Sequence, residues 1–227
     1  MIPDIKDVDV VVAWYNENLD WLLTTVWSDT RIADYVVLYC KGPNDPPPEI
    51  AKRCKRIIKL DNVGREGHTY LYHIVHNYTG GLAANTVFLQ GRVDDHIGVD
   101  AVLSFINNTK AFHAHHIGWI GWNDVINPIN HYGVWLEKIQ QKKLRQSQKY
   151  PHTYSWLTDA WGIRFPPHFS GSLPVVWGAN FAVSRDNIRR IPVDVYEKIM
   201  NILGDHADPE EGHYQERTWA IIFSTSS

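Results

Sequence analysis

The feature that most constrains this chain is an alternation in its N-terminal part: a short β-branched apolar run, then a segment with helical spacing, repeated. Residues 8–14 read Val-Asp-Val-Val-Val-Ala-Trp, lack helical periodicity and predict a buried strand. Asn16 or Asn18 then caps a helix carrying Leu19, Leu22, Leu23 and Val26. Residues 35–39 give a second strand that ends in the breaker-rich stretch 42–48. Residues 56–60 predict a third strand, 69–77 a helix and 86–89 a fourth strand. This alternation implies βαβ units: an α/β fold with an open, mainly parallel sheet flanked by helices and right-handed crossovers. Ligands of such sheets sit beyond the carboxyl ends of the strands, which singles out the loops beginning at Tyr15, Lys41, Asp61 and Gln90.

The second half is less regular. Residues 117–122 and 174–183 read as strands, 133–148 as an amphipathic helix, and 150–174 as a packed, aromatic, Pro-rich segment or lid. Ser184 or Asp186 caps a helix running to Leu203, and 213–223 form a last helix. With 227 residues, 44% of them hydrophobic, the expectation is one domain spanning 1–227, possibly cut from a longer protein. A net charge of −3 gives no general attraction to phosphate backbones, and the basic stretch 138–149 reads as the solvated face of a helix, so nucleic acid is not an expected partner. The first residues lack the layout of a signal peptide and no apolar stretch is long enough to span a bilayer, so a soluble cytoplasmic chain is expected. Cys40 and Cys54 are too few for a disulfide framework, and the sequons at Asn77 and Asn107 mean little without a secretory signal.

Four loop segments carry candidate chemistry. Ala13-Trp14-Tyr15-Asn16-Glu17 follows the first strand; its amide and carboxylate suit a base and ribose, but equally cap a helix. Asp61-Asn62-Val63-Gly64-Arg65-Glu66-Gly67-His68 joins a strand to a helix with two glycines and an arginine, as a diphosphate requires, without the spacing of a dinucleotide or Walker loop. Gly91-Arg92-Val93-Asp94-Asp95-His96 offers carboxylates for a hard divalent cation, or else an Asp cap of the next helix. In the C-terminal segment, His213 and Glu216 share a helical face; Glu216 can act as a general base and His213 as a metal ligand, or Glu216 is a surface acid paired with Arg217 beside a core Trp219. His113, His115 and His116 lack clear metal spacing; on a strand the first two share one face, and they read as structural or solvent-facing.

Together, Val-Val-Val-Ala-Trp-Tyr-Asn-Glu-Asn-Leu-Asp-Trp-Leu, Asn-Val-Gly-Arg-Glu-Gly-His-Thr-Tyr-Leu, Thr-Val-Phe-Leu-Gln-Gly and Glu-Arg-Thr-Trp-Ala-Ile-Ile-Phe resemble a domain-of-unknown-function family. Its members occur in fungi, algae and large viruses, and it is grouped with the GT-A glycosyltransferases. The resemblance implies a GT-A-like nucleotide-binding sheet and transfer of a sugar from a nucleotide-diphosphate donor, UDP- or GDP-linked, to a hydroxyl of a glycan or other acceptor. It implies Ala13, Tyr15 and Glu17 at the nucleoside, and Asn62, Gly64 and Arg65 at the nucleoside or diphosphate. Residues 91–96 take the place of the Asp-x-Asp metal motif. Because that motif is not clean here, the resemblance leaves two options: Mn²⁺ or Mg²⁺ held by Asp94 or Asp95 with His213, or Arg92 as the diphosphate counter-charge. Residues 177–181 would line the acceptor side. Glu216 first and Glu211 second are the candidate bases, with Asp124 added if configuration is retained. Two rival classes are a glycan-binding module using Trp119, Trp122, Trp161 and Trp177, and a glycoside hydrolase using Asp94 and Asp124.

Overall fold

The computed structural model describes residues 7–27, 35–93, 97–108, 110–115, 117–127 and 133–224. The β-branched runs become four parallel strands, β1 (Val8–Trp14), β2 (Val36–Cys40), β3 (Arg56–Lys59) and β4 (Asn85–Gln90), in spatial order β3-β2-β1-β4. Two shorter strands continue the sheet beyond β4: β8 (Phe181–Ser184) antiparallel to it and β5 (Phe112–Ala114) antiparallel to β8. A separate antiparallel pair, β6 (Ile117–Ile120) and β7 (Leu173–Val176), forms a two-stranded sheet.

Every residue of β1 is buried because both faces of the sheet are covered. Val11 and Ala13 pack with Tyr70, Ile74, Trp219 and Leu203, from α2 (Arg65–Asn77), α8 (Val193–Leu203) and α9 (Glu210–Ser224). Val10, Val12 and Trp14 pack on the other face with Leu22, Val26, Val102 and Phe105. These come from a one-turn π-helix (Leu22–Val26) and α3 (Val99–Ile106). The shorter helices are α1 (Pro48–Ala51), α4 (Trp122–Ile126), α5 (Gly133–Gln140), α6 (Thr153–Ser155) and α7 (Arg185–Arg189). No helix among the described residues is long and apolar enough to cross a membrane.

The structure departs from the sequence reading at several boundaries. Helix α2 starts at Arg65, four residues before the expected start at residue 69, after a tight turn in which Gly64 and Arg65 both take a positive φ (61° and 52°). The expected strand over 174–183 is split by a 3₁₀ turn, Trp177–Ala179, with Gly178 at φ 75°, and its halves join different sheets. The helix expected from residue 184 to 203 breaks before Pro192, whose ring cannot continue an α-helix; Ser184 does cap its first half, accepting from the Asn187 amide. The helix expected over 133–148 ends at Gln140, and the strand expected over 117–122 ends at Ile120. The helical segment begins at Asp20, ahead of the π-helix, and Asn18 caps it by accepting from the Asp20 amide (2.6 Å), whereas Asn16 accepts from Asn44. The aromatic segment 150–174 is packed, with Tyr150, Trp156 and Leu157 buried.

Candidate functional site

The strand order reverses between β1 and β4: the chain runs outward from β1 to β2 and β3, then returns to the other side of β1. At such a switch point the loops leaving neighbouring strands diverge and open a crevice. Here it is a cleft of about 550 Å³, lined by Ala13, Trp14, Tyr15, Glu17, Lys41, Asn62, Arg65, Glu66, Gln90, Arg92, Ala207 and Asp208. All four loops singled out by the sequence contribute to it. Six of the residues expected at the donor, Ala13, Tyr15, Glu17, Asn62, Arg65 and Arg92, come together in this one cleft.

Each wall is built locally. The Glu17 carboxylate folds back onto its own loop, its Oε2 accepting from the backbone amides of Tyr15 (2.8 Å) and Asn16 (3.0 Å). Gly91 makes room for it, since a Cβ there would lie 2.6 Å from Glu17 Oε2. Tyr15 is 45% exposed at the mouth. Lys41, the first residue after β2, is buried, and its ammonium donates to the carbonyls of Val63 and Arg65. Burial pulls its pKa down to about 8, against the opposing charge of Glu66. The buried side chain thus ties the β2 loop to the start of α2 and fixes where Arg65 projects.

Arg65 is the hub. Its guanidinium lies 3.5 Å from Asp208 Oδ1 and 3.4 Å from Glu216 Oε2, and its Nε lies 3.6 Å from Glu66 Oε2. Burial alone would ease its deprotonation, but Glu66, Glu216 and Asp208 outweigh burial and hold it firmly charged. His213 Nε2 is 2.8 Å from Asp208 Oδ1, and Arg65 Nη1 is 3.1 Å from His213 Nδ1. An ionised Asp208 only accepts, so Nε2 carries the proton and Nδ1 takes the arginine's. Burial first, then Arg65, lowers the His213 pKa to about 4 despite Asp208. Burial pushes the Asp208 carboxyl up, but the hydrogen bond from His213 and the charges of His213 and Arg65 win and keep it below its ordinary value. Arg65 Nε and Glu66 Oε1 are buried without a hydrogen-bond partner among the described residues. Unmet polar atoms beside a cleft favour a polar ligand or ordered water.

Other expected site residues fall elsewhere. Gly64 does not line the cleft: its amide donates to His206 O (2.7 Å), and it is a glycine because a Cβ would lie 2.7 Å from Leu203 O. Its role is the turn. Likewise the Arg65 amide is engaged by Ala207 O (3.2 Å), so neither of these two amides at the start of α2 is open to an anion. Glu211 does not line the cleft: it is buried and bidentate with Arg145, at 3.0 and 3.4 Å. His213 does not fit a metal, because both ring nitrogens are engaged and a guanidinium lies against the ring. Glu216 has neither oxygen open, one facing Arg65 and the other accepting from Gly178 N (3.0 Å), and it does not line the cleft. Asp124 sits in α4, beside the cluster under the two-stranded sheet, and is not part of the cleft wall. Phe181 and Trp161 belong to the core, and Trp122 is packed among Tyr154, Phe165 and Phe169, whereas Trp119 is 67% exposed. Asp94, Asp95 and His96 lie outside the described residues, among which no group of three or more His, Cys, Asp or Glu side chains could hold a metal ion. The Asn77 sequon is buried, its amide donating to His73 O.

Sequence reasoning missed Lys41 as a site residue, along with Glu66, Gln90 and Asp208. The signal for Lys41 was a lone cation directly after a fully apolar strand. Asp208, ahead of Pro209 at the start of α9, carried no signal beyond that of a helix-capping acid.

The family model described as "Protein of unknown function (DUF3431)" matches residues 10–227, so the match takes in both the parallel sheet and the cleft. The chain belongs to the DUF3431 family. Neither the curated proteins nor the solved structures give a significant match. The DUF3431 cleft is therefore read on its own geometry.

Proposed function

We propose that the chain is a glycosyltransferase of GT-A type, taking a sugar from a nucleoside-diphosphate donor and passing it to a hydroxyl of a glycan or other acceptor. The observation that carries this reading is the cleft at the β1/β4 switch point, where Arg65 and Arg92 line one cavity with an exposed aromatic, Tyr15, and the amides Asn62 and Gln90. Tyr15 offers a face to the base, Asn62 and Glu17 offer polar groups to the nucleoside, and the two arginines offset the charge of the diphosphate leaving group. A divalent cation, if used, would add Lewis-acid charge stabilisation, with Asp94 and Asp95 as its carboxylates.

Two carboxylates of the Arg65 hub line the cleft, Glu66 and Asp208; Asp208 is the more exposed, and we assign it the proton of the acceptor hydroxyl. Glu216 becomes a positioning residue that holds Arg65 and the Gly178 kink together. The test is thermal unfolding of the chain against UDP, GDP, ADP and CDP, each with and without Mn²⁺. A ligand at 100 times its dissociation constant adds about 2.7 kcal/mol to the folded state. A shift with one diphosphate, lost in Arg65→Ala, supports the reading; no shift with any of them in folded protein sinks it. Exposed Trp119 beside Ile117 (47% exposed) then favours the glycan-binding alternative, to be checked with oligosaccharides in place of nucleotides.

A further inference from the structure

Away from the cleft, β5 is one of the two edge strands of the six-stranded sheet, and it carries a histidine whose neighbour two residues on lies just past the strand. His113 and His115 fall on the same side of the extended backbone, towards α3. Their Nε2 atoms converge on one oxygen: Ser104 Oγ is 3.5 Å from that of His113 and within hydrogen-bond reach of that of His115. The two rings are 5.1 Å apart, inclined at 71°, and Phe105 packs against both at 5.4 and 5.2 Å. Ser104 has a single hydroxyl proton, and Ala101 O is 2.7 Å away to take it. When it does, the space between the three side chains has only lone pairs from Ser104 facing two imidazole nitrogens. Deprotonated at Nε2, both rings would aim lone pairs at the same place.

We infer that His113, His115 and Ser104 form a binding site for an imidazole-preferring divalent transition metal, Zn²⁺ or Cu²⁺. The Nε2 atoms of both histidines are the ligands, and Ser104 Oγ and water complete the shell. Imidazole suits these ions, whereas Mg²⁺, Ca²⁺ and Mn²⁺ prefer carboxylate and carbonyl oxygen. Phe105 orients both rings in place of a second-shell acceptor. None of these residues lines the cleft, so the site is independent of the proposed transferase reaction. Occupied, it would pin the end of the edge strand to α3.

The test is isothermal titration of untagged chain with Zn²⁺, Cu²⁺ and Mg²⁺, run beside thermal unfolding. It compares wild type with His113→Ala, His115→Ala, the double variant and Ser104→Ala. The chain has 12 histidines, so the comparison between variants, not wild-type binding alone, is decisive. Expected are one saturable Zn²⁺ event, tighter Cu²⁺ binding, no Mg²⁺ event, and a loss of affinity of about tenfold or more in each single histidine variant. The double variant should lose the event and the Zn²⁺-dependent rise in unfolding temperature, while Ser104→Ala should change affinity by less than about threefold. The inference is overturned if the double variant, folded by circular dichroism, binds Zn²⁺ with unchanged affinity and stoichiometry. A wild-type chain with no saturable event, or a Mg²⁺ response equal to that of Zn²⁺, overturns it as well.

Discussion

Gly64 and Lys41 together decide how Arg65 meets the cleft, one through backbone conformation and the other by holding carbonyls. Gly64→Ala would place a Cβ 2.7 Å from Leu203 O at a left-handed φ, so a loss of about 2–4 kcal/mol is expected in urea unfolding. Two other single residues contribute to the acid limb of stability, and His68, whose pKa burial lowers to about 4, adds to it in the same sense. His73 is fully buried between Tyr39 (3.0 Å) and Asp9, and burial, Arg56 and Lys55 lower its pKa to about 3; the Asp9 charge is already matched by Lys55 at 2.7 Å. His213 is lowered to about 4. Both take up a proton in the unfolded chain near pH 6.5 but stay neutral when folded, so stability is full above that pH and falls as pH drops towards the folded values. The pair should cost about 4 kcal/mol of stability between pH 7 and pH 5, at about 1.4 kcal/mol per pH unit each. Urea titrations at pH 7, 6 and 5 read this directly; a flat profile would mean that neither ring is held neutral by the fold.

At the scale of elements, α9 does two jobs with one run of polar residues. Its first turn is anchored from below: Glu210 accepts from the Ser147 amide (2.8 Å) and from Tyr214 (2.9 Å), and Glu211 pairs with Arg145. One turn on, His213 and Glu216 face Arg65. Glu211→Ala therefore leaves Arg145 with Asp205 alone and should lower stability by about 2–3 kcal/mol in chemical denaturation while leaving nucleotide binding intact. Glu216→Gln should act differently, weakening its hold on Arg65 and raising the KM for the donor more than it lowers kcat. Helix α2 shows how far an element is legible in sequence: its core-facing Tyr70, Leu71 and Ile74 carry the helical period, but its true start lies four residues earlier, where Arg65, Glu66 and His68 look like loop chemistry.

At the scale of the whole molecule, the strand order places the cleft. Because β4 returns beside β1, the carboxyl ends of the four parallel strands deliver their loops to one opening. If the cleft takes a nucleoside diphosphate, Asp208→Asn should abolish turnover yet keep the nucleotide-induced rise in unfolding temperature. Arg65→Ala should lose both. Loss of turnover without any nucleotide shift in wild type would separate a failed donor site from a failed base.

Sequence by itself determined the parallel strands and the loops that matter. A buried parallel strand must be apolar on both faces, so Val8–Trp14 and its neighbours advertise themselves, and the switch-point rule then points to their carboxyl ends. It also brought Arg65 and Arg92 forward as candidates. Only tertiary structure decided their company. Whether an acid is a base, a counter-ion or a core anchor depends on which cation folds against it, and the partners of Glu211, Glu216 and Asp208 lie 66, 151 and 143 residues away in the chain. The same holds for Gly178 and Pro192, where a turn towards another sheet or helix overrode local propensity, and for His113 and His115, whose convergence depends on a serine brought in by α3.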